Sequence, residues 1–261
     1  MEKCLIIFDI DETLYINHER RIPNSTLVAL DQLKKAGHTL AVATGRAPFE
    51  INETIKNQPF DFFILNNGQY VTKNDEVIYE NPIDPVTIRE LVAEATNEGI
   101  QLGFSSAARS TVTGIDEWIH DVFTHSDLTY PEVDASIVEK EPVFQIWFFS
   151  DDYPKYEEKY KEKVRFVPWL NRGSDVIPPG ASKAAGLQKT IEAYKGELPT
   201  KNVFFGDGAN DIELVEMADI GVAMGNAVDS LKEKADFITK NIEDDGIYYA
   251  CEQLGLFDDE K

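Results

Sequence analysis

One stretch near the amino terminus, Cys4 to Leu14, constrains the fold more than any other part of the chain. It reads CLIIFDIDETL, so five apolar residues run directly into two carboxylates separated by one residue. A short, uninterrupted apolar run predicts a strand that is buried on both faces, as in a parallel sheet. Because residues i and i+2 of a strand point to the same side, Asp9 and Asp11 should emerge together at its carboxyl end. Open α/β sheets bind their ligands at that end.

Two carboxylates this close need compensation, because each opposes the ionisation of the other. The pair Asp9 and Asp11 therefore indicates a bound cation, a shared proton, or both. Taken alone, the pair also fits a solvated turn, where aspartate is common.

The charge balance limits the partners of this protein. Its 261 residues include 25 Lys and Arg against 47 Asp and Glu, a formal charge of -22. A field of this sign repels nucleic acid and anionic membranes, so we expect neither as a partner. It also repels anionic substrates, so any phosphate site must be locally positive. We expect a monomer or a weak homodimer.

The cellular compartment is predicted from the cysteines and the apolar runs. Cys4 and Cys251 lie far apart, with no metal-type spacing and no disulfide framework, which suits a reducing cytoplasm. The first apolar run is too short for a signal peptide and is interrupted by Asp9. No apolar run approaches the length needed to span a bilayer. We therefore expect a cytoplasmic protein.

Alternating strand and helix patterns predict the α/β class, with a Rossmann-like, doubly wound parallel core sheet. The segment 14–21 is expected to form a polar, irregular flap, and a helix is expected over 47–55. Besides the first strand, the predicted core strands are Thr39–Ala43, Phe60–Leu65, Lys201–Gly206 and Ile220–Ala223.

The alternation of single strands and helices stops in the middle of the chain, where a helix-strand-strand pattern occurs twice. This predicts an α+β cap domain over 82–181, inserted into a core formed by 1–81 and 182–261. The inserted domain is expected to be a lid over the strand ends that excludes water and selects the ligand. Its ambiguous candidate side chains, none favoured over the others, are Arg109, Trp118, His120, His125, Tyr130 and Trp147.

Two further polar sites are expected beside the acidic pair. Thr44-Gly45-Arg46 follows the second strand and is either an ordinary βα turn or a hydroxyl and backbone N–H groups that face a phosphate at a helix N-terminus. Lys183 lies in the first turn of a helix capped by Ser182. A cation is out of place beside the positive helix end unless an anion binds there, although a lone lysine is usually just solvated.

The segment Gly206 to Asp211 reads GDGAND and follows another apolar strand. Two glycines allow close backbone approach, and three carboxylate or amide groups suit a hard cation. The alternative is a capped turn with Asn210 or Asp211 as the N-cap.

In order and spacing, these segments resemble the haloacid-dehalogenase-like superfamily of phosphohydrolases. The long insertion between Asn67 and Lys183 resembles that of the Cof-type branch, and Glu12 departs from the Gly or Asp that many relatives carry. The resemblance is carried by Asp9-x-Asp11-x-Thr13, Thr44-Gly45-Arg46, Lys183, Gly206-Asp207-x-x-Asn210-Asp211, Asn67-Gly68 and Met224-Gly225-Asn226.

The resemblance implies a Mg²⁺-dependent phosphatase of small phosphorylated metabolites, such as sugar phosphates or phosphorylated cofactors. Asp9 would be the nucleophile that forms an aspartyl-phosphate, and Asp11 the general acid and then the general base. Mg²⁺ would be held by Asp9, the backbone carbonyl of Asp11 and Asp207, with Asp211 in support.

The phosphoryl group would be held by preorganised donors from several segments. Arg46 either reaches the substrate or forms a structural ion pair. The implied phosphate-binding groups are Thr44, the amides of Ile10 and Gly45, Lys183 and Asn210.

Three other functions compete with this interpretation. A phosphotransferase or mutase would pass the phosphoryl group to a second hydroxyl, and the sequence does not separate it from a phosphatase. A phospho-accepting signalling module would also use an acidic pair, a threonine and a lysine, but the acceptor on the first strand and the inserted domain argue against it. Intact motifs argue against a catalytically silent binding protein.

Overall fold

The computed structural model of the protein describes residues 2–124, 130–168 and 173–257. The chain divides into two compact units. The first contains the chain up to Gly45, Ile51–Tyr79 and the chain from Ser182 onward, and the second contains Arg46–Glu50 and Glu80–Ala181. The predicted domain limits at residues 82 and 181, and the lid role of the insertion, stay predictions.

Strands and helices alternate along most of the described chain. The strands are β1 (Cys4–Phe8), β2 (Thr39–Ala43), β3 (Phe62–Leu65), β4 (Tyr70–Lys73), β5 (Glu76–Glu80), β6 (Gln101–Ser105), β7 (Ser110–Val112), β8 (Glu132–Val133), β9 (Gln145–Phe149), β10 (Arg165–Pro168), β11 (Ser174–Ile177), β12 (Lys201–Gly206), β13 (Ile220–Ala223) and β14 (Phe237–Ile238). The helices are α1 (Asn24–Lys35), α2 (Glu53–Lys56), α3 (Pro85–Asn97), α4 (Glu117–Thr124), α5 (Tyr153–Tyr160), α6 (Lys183–Ala193), α7 (Ile212–Met217), α8 (Asp229–Lys232) and α9 (Gly246–Gln253).

An eight-stranded sheet runs through the first unit in the order β14-β13-β12-β1-β2-β3-β4-β5. The six strands from β14 to β3 are parallel, and β4 is antiparallel to β3. Early in the chain, β2 and β3 are added to one side of β1. Later in the chain, β12 and β13 are added to its other side. The point of reversal lies between β1 and β12, where ligands of such sheets bind. The predicted α/β class with a Rossmann-like, doubly wound core is confirmed.

Strand β1 is buried along its whole length, as its apolar run predicts. Ile6, Ile7 and Phe8 have no exposed surface, and burial of each such side chain contributes roughly 1.5–3 kcal/mol before entropy is counted. Phe8 is level with Phe205 of β12 and with Val42 of β2. The residues that follow these three strands therefore share one edge of the sheet.

A short 3₁₀ turn after β3, Asn66–Gly68, sets the position of α6. A Cβ atom on Gly68 would lie 2.0 Å from the Ser182 carbonyl oxygen, and one on Gly186 would lie 2.6 Å from the Gly68 Cα. Gly68 also has a φ of +87°, which glycine adopts without strain. The paired glycines thus let the first turn of α6 approach the end of β3.

Two expectations about local structure are wrong. No continuous helix covers 47–55, where the described chain has a 3₁₀ turn (Pro48–Glu50) and the short α2, because the Asn52 side chain caps a new helix by accepting the Ile55 N–H at 3.1 Å. The segment 14–21 is irregular, as predicted, but it is not polar throughout, because its first three residues are buried hydrophobics.

The second unit contains a six-stranded sheet in the order β10-β11-β9-β6-β7-β8. Its described pairs are antiparallel except β7 with β8. Side chains of β9 alternate between two hydrophobic clusters: Ile146 and Phe148 belong to the cluster with α3 and α5, whereas Trp147 and Phe149 belong to the cluster with α4. The doubled helix-strand-strand pattern is confirmed as α3-β6-β7 and α5-β10-β11.

Several of the ambiguous side chains of the insertion are engaged within this unit. The Arg109 guanidinium pairs with Glu141 at 2.8 Å and Asp134 at 3.2 Å, and Trp147 is buried. Trp118 packs on the cluster of α4, His120 lies 3.4 Å from the Tyr130 hydroxyl, and His125 lies outside the described residues. None of the described helices is long and apolar enough to cross a membrane.

Candidate active site

Asp9 lies at the edge that the sequence predicts, directly after β1, and only 5% of it is exposed. Its backbone N–H donates to the Phe205 carbonyl at 2.9 Å. The neighbouring Phe8 ring stacks on the Phe205 ring with 4.9 Å between centroids. The packing of β1 against β12 therefore fixes the position of this carboxylate.

Lys183 is the first residue of α6, and its side chain is 1% exposed. Ser182 caps the helix, as predicted, by accepting the Ala185 N–H at 3.1 Å. The Lys183 Nζ donates to Asp9 Oδ1 at 2.7 Å and to Asp211 Oδ1 at 2.7 Å. The alternative of a solvated surface lysine is wrong, because the ammonium is shared between two buried carboxylates.

Asp211 organises the loop after β12 and has no exposed surface. Its Oδ2 accepts the backbone N–H groups of the preceding Asp207 and Gly208, each at 3.0 Å, and its side chain makes no N-cap hydrogen bond to α7. A Cβ atom on Gly206 would lie 2.6 Å from this oxygen, so the loop needs glycine there. Since its two oxygens already accept three hydrogen bonds, Asp211 is suited to supporting the site.

Asp207 lies one residue beyond the end of β12. Its Oδ1 accepts the Thr13 hydroxyl at 3.1 Å, and Thr13 is fully buried. Thr13 is part of the first sequence motif, but sequence reasoning gave it no role. Its signal was a hydroxyl two residues after Asp11 and directly before buried Leu14.

The three carboxylates Asp9, Asp207 and Asp211 each offer an oxygen within 4.8 Å of the others. Burial raises the pKa of Asp9 well above its ordinary value; Lys183 lowers it, but Asp211, Asp11 and Asp207 raise it further. Burial and then Asp211 raise the pKa of Asp207 to about 7, against the Thr13 hydrogen bond and Lys183. Burial opposes the charge of Lys183, but Asp211 and Asp9 outweigh it and raise the Lys183 pKa.

One lysine does not balance this many carboxylates. Hard oxygen donors in a negative pocket are the ligands that divalent cations such as Mg²⁺ prefer. The residues therefore fit a metal ion: a cation would relieve the mutual repulsion that raises the pKa values of Asp9 and Asp207.

The remaining predicted site residues lie at the same edge by register. Thr44 is 1% exposed, and its backbone is tied to β3 because its N–H donates to the Ile64 carbonyl at 2.9 Å and its carbonyl accepts the Asn67 N–H at 3.0 Å. The Asn67 amide lies against Gly45. Their phosphate-binding roles stay predictions.

Three more predicted groups have defined surroundings. The Ile10 carbonyl accepts the N–H groups of Leu14 at 2.9 Å and Tyr15 at 2.8 Å, which closes the turn around Asp11. Asn210 is exposed. The Arg46 guanidinium donates to the Glu50 carbonyl at 3.4 Å. The proposed roles of Ile10, Asn210 and Arg46 also stay predictions.

Comparison with known proteins agrees with the fold. A family model described as haloacid dehalogenase-like hydrolase matches residues 6–251. YkrA of Bacillus subtilis (strain 168), a candidate phosphatase, is 37% identical over 259 residues, which cover 98% of this chain and 99% of YkrA. The protein therefore belongs to the haloacid dehalogenase-like hydrolases.

Solved structures place it further within that family. A hypothetical protein of Geobacillus kaustophilus HTA426 is 37% identical, with a TM-score of 0.89 over 98% of this chain and 100% of the other. The sugar phosphatase BT4131 of haloacid dehalogenase subclass IIB is 29% identical, with a TM-score of 0.82 over 98% of this chain and 100% of the other. The resemblance to the Cof-type branch and the prediction of a phosphoric monoester hydrolase are confirmed.

Proposed function

We propose that the protein is a Mg²⁺-dependent phosphatase of small phosphorylated metabolites that works through an aspartyl-phosphate on Asp9. One observation carries the proposal: Lys183 Nζ lies 2.7 Å from both Asp9 and Asp211, at a strand end where Asp207 offers a further oxygen. The site thus combines a buried carboxylate nucleophile, a fixed cation and a metal-binding set.

In this mechanism an Asp9 oxygen attacks phosphorus, the bond to the leaving oxygen breaks, and the phosphoryl group becomes an acyl phosphate. Asp11 gives a proton to the departing alkoxide and then removes one from the water that hydrolyses the acyl phosphate. Lys183 remains charged throughout and stabilises the phosphoryl oxygens, together with Thr44 and Asn210.

Mg²⁺ would be held by Asp9, Asp207 and the Asp11 backbone carbonyl, while Asp211 supports the set from its hydrogen-bonded position. When bound, Mg²⁺ offsets the negative charge of the carboxylates and of the phosphoryl oxygens. Lys183 makes its own contribution to the same charge balance, so a site in a protein of charge -22 can still accept an anion.

The substrate class rests on the family. The sugar phosphatase among the similar structures supports sugar phosphates, and phosphorylated cofactors are the second class that we propose. Cys4 and Cys251 are both buried and free, which supports a cytoplasmic location. The strong negative charge supports neither nucleic acid nor membrane as a partner, and we propose a monomer or weak homodimer.

The test is phosphate release from a panel of sugar phosphates and phosphorylated cofactors, with Mg²⁺ or with EDTA. We expect turnover only with Mg²⁺, and loss of turnover in Asp9→Asn. The matched control is Asp31→Asn, an exposed aspartate on α1, which should keep the parent rate. Hydrolysis by Asp9→Asn at the parent rate would refute the nucleophile assignment.

Two further measurements separate the competing functions. Acid quenching during turnover of radiolabelled substrate should leave label on the peptide that contains Asp9, and none in Asp9→Asn. Turnover in ¹⁸O-water should place ¹⁸O in the released phosphate; phosphate transfer to a second hydroxyl without ¹⁸O would indicate a phosphotransferase or mutase. A stable phosphoenzyme without turnover would indicate a signalling module.

A further inference from the structure

We infer that Asn226 is a positioning residue that holds the turn after Asp11 and thereby orients that carboxylic acid. This inference rests on the proposed function, since it concerns the proton carrier of that reaction. Asn226 belongs to the Met224-Gly225-Asn226 motif after β13, which the proposed mechanism does not use.

Asn226 joins two segments that are distant in sequence. Its Nδ2 donates to the Glu12 carbonyl at 2.8 Å, and its Oδ1 accepts the Ile242 N–H at 2.9 Å. An amide does this with a donor on one atom and an acceptor on the other, so a single side chain ties the turn of the acidic pair to the segment after β14.

The loop that carries Asn226 is itself firmly held. The Gly225 N–H donates to the Lys240 carbonyl at 2.9 Å, and the Ala227 N–H donates to the Met224 carbonyl at 2.9 Å. A Cβ atom on Gly225 would lie 2.5 Å from the Asn241 nitrogen, so the two segments are in close contact. The amide therefore projects from a rigid support, although the residue is exposed.

Glu12, whose carbonyl accepts the hydrogen bond from Asn226, adopts an unfavourable backbone conformation. Glu12 has a φ of +54°, which costs a residue with a side chain on the order of 1 kcal/mol. Its N–H donates to the Tyr15 carbonyl at 2.9 Å and its Oε1 accepts the Asn17 N–H at 3.2 Å. Together with Asn226, these bonds keep Glu12 in the left-handed region.

Loss of the hydrogen bonds that hold this turn would change the position of Asp11 directly. A change of φ at Glu12 rotates the preceding peptide, which contains the Asp11 carbonyl, and so moves the residue proposed to protonate the leaving group. Without the Asn226 bond to its carbonyl, Glu12 loses one of the contacts that offset its strain. The Asp11 carbonyl that would hold Mg²⁺ moves with the turn, but every phosphate ester needs that ion alike, so at saturating Mg²⁺ the difference between two substrates reports proton donation by Asp11.

The test compares two substrates that differ in their need for a proton. An alkyl phosphate leaves as a basic alkoxide that requires general acid catalysis, whereas p-nitrophenyl phosphate releases a stable phenolate. The ratio kcat/KM reports steps up to formation of the phosphoenzyme, so it isolates the acid role from later hydrolysis. The alkyl phosphate is a member of the panel above that the parent enzyme hydrolyses, and a parent that hydrolyses no member of that panel would overturn the proposed function before any variant is compared.

The principal variant is Asn226→Asp, which keeps an acceptor for Ile242 but loses the donor to Glu12. We expect kcat/KM for the alkyl phosphate to fall about tenfold, a fraction of the usual contribution of general acid catalysis. The value for p-nitrophenyl phosphate should change less than about twofold. The matched control is Asn202→Asp on β12, whose Oδ1 accepts the Asp219 N–H at 3.2 Å; both substrates should stay within about twofold.

An equal fall for both substrates, or no fall, would overturn the inference. If Asn226→Asp does not fold, Asn226→Ser removes the same donor together with the acceptor for Ile242, and the same two substrates are compared. Glu12→Gly supplies a second measurement, because glycine adopts a positive φ without strain. In the Glu12→Gly background, Asn226→Asp should reduce the ratio of kcat/KM for the alkyl phosphate to kcat/KM for p-nitrophenyl phosphate by less than about threefold. A reduction of this ratio as large as in the parent would contradict the role of Glu12.

Discussion

Replacement of Asp211 with asparagine tests whether the buried lysine-carboxylate network stabilises the core unit. Asp211 Oδ1 accepts Lys183 Nζ at 2.7 Å, and its Oδ2 accepts two backbone N–H groups at 3.0 Å. An asparagine places an N–H₂ group where one of these oxygens accepts. Either Lys183 or the loop that carries Asp207 then faces a donor instead of an acceptor.

The size of the effect follows from the burial of the pair. Removal of one member of a buried ion pair typically costs about 3–5 kcal/mol, because the other charge is left uncompensated. Two features of the site reduce this free-energy cost. Lys183 keeps Asp9 as a partner, and one carboxylate fewer repels Asp9 and Asp207. We expect a loss of about 3 kcal/mol, which at roughly 2–4 °C per kcal/mol lowers Tm by about 6–12 °C.

The assay is thermal unfolding by circular dichroism at pH 7.5 in EDTA, so that no metal binding contributes. Asp31→Asn is the control, because Asp31 also pairs with a lysine, Lys35 at 2.6 Å, but both side chains are largely exposed. Exposed pairs contribute little, so its Tm should fall by less than about 2 °C. An Asp211→Asn protein that melts within about 2 °C of the parent would refute this account of the network.

Three other substitutions test separate features. Gly186→Ala should lower Tm, because the overpacking against Gly68 costs about 1–3 kcal/mol, whereas the helix propensity of alanine alone predicts a gain; a higher Tm would contradict this. His38→Phe leaves the buried Cys4 N–H without its acceptor, now at 3.0 Å, and should cost about 1–3 kcal/mol in urea unfolding; an unchanged midpoint would show that the bond contributes no net stability. Lys159→Gln removes an exposed ion pair between α5 and α3 and should cost less than about 1 kcal/mol, with no difference in 1 M NaCl; a larger, salt-independent loss would count against a screened surface pair.

Much of the core sheet is predictable because its strands are short apolar runs with clear ends. β2, β12 and β13 begin and end at the residues that the sequence predicts. The helix expected over 47–55 fails because Pro48 and Asn52 each start a new local structure inside an apparently continuous pattern. Local side-chain capping decides that segment, and hydrophobic periodicity does not report it.

The candidate site is predictable in its membership and not in its contacts. The motifs identify Asp9, Lys183 and Asp211, but that one ammonium lies between both carboxylates depends on how α6 packs on the sheet. The hydrogen bonds from Thr13 to Asp207 and from Asn226 to the turn of the acidic pair likewise join residues about 200 positions apart. No local pattern encodes partners at that separation.

The pairing of β1 with β12 has a consequence for synthesis of the protein. One edge of β1 pairs with β2 soon after it is made, but the other edge waits for Lys201–Gly206. At roughly 5–20 residues per second, ribosomes need about 10–40 s to reach that point. Throughout this interval a wholly apolar strand has one unpaired edge, which is the kind of surface that pairs with other chains. Slow or interrupted translation of the insertion should therefore favour aggregation, and the nascent chain should depend on chaperones until β12 emerges.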